Sequence, residues 1–477
     1  MQQTIALKKD PPAALRWVVL VFISLAMFGN YYIYDCISPL ADVLKAQLHF
    51  TDENLGLLQG IYSIPNIFMV LVGGIIIDKI GTKKAALIFA CLVFLGALFT
   101  TIKGNIAFMA TGRLIFGLGA ESMIVAITTV LARWFKGKEL SFAFGLNLTI
   151  ARLGSFLALN SPIWGKSMFV YWQKPLWIAV GAGVITVATL AIYYLIDIYS
   201  EKRYALQKEG NQDKIILKDL FKFGKSFWFI TLLCVTFYSA MFPFQTFAVK
   251  FFKDVHLVGL PIDVARGMGG FLSSLLTLSA MILTPLFGLL SDKIGKRSLL
   301  MMFGSLLIIP VYLIMGYVVH SVALPPSVVA LFSGADSGTG FIGGVVYFGN
   351  MISTLFTYFP NIAIPMVIMG IAFSLIPAIM WPSVALIVDH SKLGTAYGLM
   401  TMIQNMGLAG LNLAVGWAND FSGASAANPG GYHLMMWIFS TLGFFGLFFA
   451  FMLRRNEMSP RAHGLEYGTK FNKRPAN

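Results

Sequence analysis

GGIIIDKIGTKKAAL (73–87) returns as FGLLSDKIGKRSLL (287–300). Gly74, Asp78, Lys79 and Gly81 match Gly288, Asp292, Lys293 and Gly295. A basic pair closes each copy, Lys83 with Lys84 and Lys296 with Arg297. Both copies join the end of one apolar run to the start of the next. The glycines permit close helix packing and a tight turn. The aspartate suits the positive N-terminus of a neighbouring helix, and the basic residues suit an inner membrane surface. Repetition at matching points marks a chain built from two similar halves.

The composition agrees with a chain that lives in lipid. Of 477 residues, 57% are hydrophobic and only 12% charged, and mean hydropathy is +0.76. A soluble chain carries about 25% charge. The net charge of +14 does not point to nucleic acid, because the basic residues gather in short loops between apolar runs. No zinc spacing, P-loop or nucleophile elbow is present, so neither an enzyme nor a cofactor or metal site is expected. Cys36, Cys91 and Cys234 lie in apolar runs and read as small core residues. The opening MQQTIALKKDPPAALR is a polar, basic lead into a run too long for a cleavable signal.

A crossing helix needs about 20 apolar residues. Twelve runs qualify, near 14–38, 54–78, 84–102, 106–134, 140–163 and 175–199, then 226–250, 266–290, 298–320, 362–388, 393–418 and 431–453. With the N-terminus inside, 26 of the 35 Lys and Arg fall on the inner side and seven outside. Arg113 and Arg152 remain within runs. Both termini are therefore expected in the cytoplasm, in what reads as a bacterial inner membrane. The expected class is an all-α membrane protein of twelve transmembrane helices in two pseudo-symmetric six-helix bundles. Residues 1–199 form the first and 226–455 the second, joined by a charged cytoplasmic linker at 200–225 and followed by a tail at 456–477. IILKDLFKF in the linker suits a surface helix. An uncharged, glycine-rich insertion at about 321–361 reads as outer, with one short helix or re-entrant segment.

The paired DKxG loops resemble the inner-loop signature of the major facilitator superfamily, and GRLIFGLG (112–119) resembles its second motif, with Arg113 in the arginine place. The superfamily implies two bundles around a central cavity that opens alternately to each side. In it Asp78 and Asp292 would act as gating residues. Further stretches, among them YYIYDCISPL, YSIPN, GAESMIVA, WFKGKEL, ARLGS and IMWPSVALIVDH, resemble the dipeptide-transporting branch represented by major facilitator superfamily domain-containing protein 1. That resemblance implies transport of dipeptides. It gives a fourth-span glutamate, here Glu121, the peptide's amino group and a fifth-span arginine, here Arg152, its carboxylate. The stretch YDCISP departs from the branch's pattern around Cys36.

The residues themselves allow this chemistry. An ionised carboxylate in hydrocarbon needs a partner, a proton or a watery cavity. Glu121 and Arg152 each fall near mid-span, where transporters of this type place their substrate. A dipeptide zwitterion offers an ammonium to the one and a carboxylate to the other. The two could instead pair as a structural bridge, and Glu121 could carry a proton if transport is proton-coupled. A carrier of organic anions or sugars is the alternative reading. Tyr31, Tyr34, Tyr62 and Asn66 in the first half, and Tyr238, Gln245, Trp381, Gln404 and Asn405 in the second, are further candidate lining residues. Asp35 and Arg113 are candidates for an outer gate or pair. The partners expected are a small solute, the lipid bilayer and, with coupling, protons; an accessory subunit is neither required nor excluded.

Overall fold

In the computed structural model, residues 11–135, 139–204, 223–319, 324–332, 340–389, 392–460 and 462–466 are described. Seventeen α-helices are present among them. In the first half they are α1 (Ala13–Asp35), α2 (Ala41–Leu48), α3 (Asp52–Gly60), α4 (Ser63–Ile80), α5 (Thr82–Ile102), α6 (Ile106–Phe135), α7 (Leu140–Leu159), α8 (Ser161–Trp164) and α9 (Gln173–Arg203). The second half holds α10 (Lys225–Phe251), α11 (Ile262–Ile294), α12 (Arg297–Tyr317), α13 (Pro326–Phe332), α14 (Gly340–Tyr358), α15 (Pro360–Ile387), α16 (Leu393–Phe421) and α17 (His433–Glu457). Ten helices among the described residues are long and apolar enough to cross a membrane. The twelve are completed by the second span, broken into α3 and α4, and by α16, which is diluted by Gln404, Asn405, Asn412 and Asn419.

The packing follows the repeat. In the first half α1 packs on α7 and α9, α5 on α6 and α9, and α4 on α6. In the second, α10 packs on α16 and α17, α12 on α15 and α17, and α11 on α15. These are the same pairings carried six spans on. Two seams join the bundles, α3 and α4 against α16, and α7 against α11. Because the number of crossings is even, the start of α1 and the end of α17 lie on one face, here termed the terminal face, together with the two DKxG turns.

The seams are tight on the opposite face. Every residue of α11 from Val264 to Thr277 is buried, whereas beyond it Ile282, Leu286 and Leu289 are all more than half exposed. At Gly416, a Cβ would lie 2.4 Å from the carbonyl of Asp52, so α16 and α3 touch backbone to backbone. A buried ion cluster seals the same end. Asp52, wholly buried, accepts from Lys45 at 2.6 Å and, across the seam, from Lys250 at 2.7 Å. Lys250 also meets Tyr432 at 2.6 Å and Asp254 at 3.6 Å. Arg266 grips Asp42 across the seam at 2.8 Å. Asp420 accepts the backbone N–H groups of Asp52 and Glu53 at 2.9 and 2.7 Å, capping the N-terminus of α3 from the other bundle. Ions taken out of water this far persist only when paired, and Asp52, Lys250, Asp254, Asp42 and Arg266 all are.

Several expectations need adjustment. The insertion holds two helices, α13 and α14, and Phe348 of α14 packs on Phe156 of α7 and Phe271 of α11, over the second seam. Cys91 is exposed, not a core residue, whereas Cys36 and Cys234 are buried. IILKDLFKF falls almost wholly on residues outside the described ones, as does the side chain of Asp78. Asp292 is two-thirds exposed and pairs with Arg297 of its own turn at 2.6 Å.

Candidate functional site

Gly117 places the first component. A Cβ there would lie 2.3 Å from the carbonyl of Tyr62, so only glycine lets α6 approach the break in the second span this closely. One turn further along α6, Glu121 then meets the Tyr62 hydroxyl, which donates to its Oε1 at 2.7 Å. Glu121 has its other oxygen free of any protein donor among the described residues. It sits near the middle of α6, and its flanking residues Ala120 and Ser122 are buried.

Arg152 comes from α7. Its guanidinium lies 5.2 Å from the ring centre of Tyr31 and 5.2 Å from that of Phe373, which belongs to the second bundle. Aromatic faces hold a cation without using its N–H donors. Among the described residues Arg152 makes no hydrogen bond or ion pair, and in particular none with Glu121. The structural bridge weighed from the sequence is not formed.

Both side chains line one cavity between the bundles. Asn30, Tyr31, Tyr34, Asp35, Tyr62, Phe116, Ile124, Phe242, Gln404 and Leu408 complete it. The Asn30 amide oxygen is buried without a partner. The ion cluster closes the cavity from the opposite face.

The remaining candidates divide. Tyr31, Tyr34, Tyr62 and Gln404 are on the wall. Tyr238 and Trp381 stand one layer behind it: the Trp381 indole donates to the Tyr238 hydroxyl at 3.0 Å, and Tyr238 stacks on Phe242 at 5.6 Å. Asn66 is wholly buried and donates to the carbonyl of Tyr62 at 3.1 Å. Asn405 is buried and donates to the carbonyl of Thr401 at 3.0 Å. Gln245 is buried toward the opposite face, where the Ser38 hydroxyl donates to its backbone carbonyl at 2.7 Å. These five are not on the wall. Asp35 and Arg113 do not pair. Asp35 joins the cavity wall, and Arg113, 1% exposed, binds backbone carbonyls instead.

Sequence reading missed Asn30, Phe116, Ile124, Phe242 and Leu408. Asn30 carried a signal, an amide next to Tyr31 inside an apolar run. The four apolar residues carried none, since nothing distinguishes a lining leucine or phenylalanine from a packing one.

A family model described as Major Facilitator Superfamily matches residues 23–363. The chain belongs to the major facilitator superfamily. It is 31% identical over 425 residues to the lysosomal dipeptide transporter MFSD1 of Bos taurus, covering 86% of this chain and 81% of that protein. The MFSD1 protein of Homo sapiens matches with the same identity, length and coverage. Among solved structures, the nucleoside transporter NupG superposes with a TM-score of 0.64 at 14% identity, covering 92% of this chain and 98% of that one. That last likeness shows the shared fold alone. This superfamily member is thus a multi-pass membrane transporter of a small molecule, embedded in lipid, and not an enzyme.

Proposed function

We propose that the chain carries small zwitterionic peptides, dipeptides above all, by alternating access, with Glu121 taking the amino group and Arg152 the carboxylate. One observation supports this most: a carboxylate and a guanidinium from adjacent helices share a single mid-depth cavity without touching. An unpaired ion buried in protein is costly, and a ligand of complementary charge at each end removes both costs together. The name and identity of the MFSD1 relatives support the same substrate class. The apolar wall of Ile124, Phe242 and Leu408 makes no polar demand on the side chains between the two poles. The conformer described has the opposite face sealed, and the two DKxG turns with Asp78 and Asp292 are the proposed gate of the terminal face.

We place the terminal face in the cytoplasm, on the strength of the 26 basic residues assigned to it. Reporter fusions at both ends test that placement. The function is tested by uptake of a labelled dipeptide into proteoliposomes holding the purified protein. Saturable uptake that Glu121→Gln and Arg152→Gln remove is expected. Uptake of organic acids or sugars with no effect of dipeptides would overturn it in favour of an anion or sugar carrier.

A further inference from the structure

The second span is broken where it meets the cavity. α3 ends at Gly60 and α4 starts at Ser63, and the N–H of Tyr62 makes no backbone bond to Leu58. The carbonyl of Leu58 is therefore left over, and the Nε of Arg113 donates to it at 3.1 Å. α1 ends at Asp35, which leaves its last carbonyls without helical partners. Arg113 takes two of these as well, through Nη1 to Ile33 at 3.0 Å and Nη2 to Tyr34 at 3.3 Å. Its Nη2 also donates to the side-chain oxygen of Gln59. One wholly buried guanidinium thus caps α1 and bridges the break in the second span. Its centre lies 5.8 Å from the ring centre of Tyr34, 6.0 Å from that of Tyr62 and 5.0 Å from that of Phe116, all on the cavity wall. Arg113 and Glu121 stand two turns apart on α6, so the anchor and the acid belong to one rigid rod.

We propose that Arg113 and Tyr62 are positioning residues for Glu121. Arg113 fixes the broken span, the span fixes Tyr62, and the Tyr62 hydroxyl holds Oε1 so that Oε2 faces the ligand's ammonium. Tyr62 acts through the acid and is not itself a ligand contact. The inference rests on the dipeptide reading and adds to it the origin of the preference for a free amino terminus.

The test uses the full-length protein in proteoliposomes and compares a dipeptide with its N-acetylated form as competitors. For Tyr62→Phe, KM is expected to rise about tenfold with kcat within about twofold, as suits the loss of one hydrogen bond to a charged group. The preference for the free amino terminus is expected to fall by the same factor, with affinity for the N-acetylated form unchanged. A general packing defect would weaken both competitors alike, and that result would overturn the proposal. So would a Tyr62→Phe protein that keeps the wild-type preference. Arg113→Lys keeps the cation but loses the planar fork. It is expected to show the same selective loss, and an unchanged preference in that variant would break the link from Arg113 to Tyr62. If the wild-type protein itself shows no preference for a free amino terminus, the dipeptide reading beneath the inference fails first.

Discussion

At the seam, Lys250 meets Asp52 of the other bundle together with Asp254 and Tyr432 of its own; in the cavity, Glu121 and Arg152 form no ion pair among the described residues, either with each other or with Asp35 on the same wall. Both regions bury ions of both signs in one membrane protein. The seam satisfies them with protein, and the bundles are held shut there. The cavity leaves them for something else to satisfy. The seam also separates without stranding its most buried ions. When the bundles part, Asp52 keeps Lys45, Lys250 keeps Asp254, and Arg266 keeps Asp263 at 3.8 Å. Asp42, which loses both of its cross-seam cations, is already partly exposed and gains water. A contact meant to open and close therefore carries duplicate ion pairs, and a contact meant for a ligand carries no ion pair of its own.

The largest expected effect is in the cavity. Glu121→Gln or Arg152→Gln should lower dipeptide uptake about 100-fold, since each removes a charge-assisted contact to the substrate. The melting temperature should stay within about 3 °C, because no protein partner is stranded. A large loss of stability in either variant would show that the cavity ions are structural, as those of the seam are.

Lys250→Met comes next. It deletes the cross-seam bond to Asp52 while leaving each aspartate a partner, so the cost is below that of stranding a buried ion, and a shift of about 30-fold toward opening at that face is expected. Spin labels at positions 168 and 258, both exposed near that end, report it as a new longer distance. An unchanged distance would remove the distinction between lock and cavity. Gly117→Ala sharpens the cavity side. Its methyl group displaces Tyr62, and KM should rise about tenfold, in line with the usual cost of overpacking. The smallest effect expected is at the cap on α3. Asp420→Asn keeps one of the two acceptors and loses the charge and the second hydrogen bond at an exposed site, which costs about 1 kcal/mol and should move the same spin-label populations about fivefold.

Much of the fold was legible before any coordinates. Helices that must bury their own backbone in lipid announce themselves by length and apolarity, so the twelve expected runs fall within a few residues of the observed helices. The break in the second span had one signal, Pro65, which has no N–H to offer the carbonyl of Ile61; that the break is held by Arg113, 55 residues from Leu58, was not legible. In the cavity, the polar residues within apolar runs stood out in the sequence. Their division between wall and second layer did not, as Trp381 and Tyr238 show, because a shift of one helix face decides it. The seam cluster was hidden altogether. Lys45, Asp52, Lys250 and Arg266 lie at span ends, where charge is ordinarily solvated, and the bond between Asp52 and Lys250 joins positions 198 apart.

The most direct measurement is a binding cycle that changes ligand and protein together, using a dipeptide, its N-acetylated form and its C-terminal amide against wild type, Glu121→Gln and Arg152→Gln. The expected result is that acetylation weakens binding to wild type and to Arg152→Gln but not to Glu121→Gln. Amidation should weaken wild type and Glu121→Gln but not Arg152→Gln. If both modifications weaken all three proteins equally, Glu121 and Arg152 do not hold the two ends of the ligand.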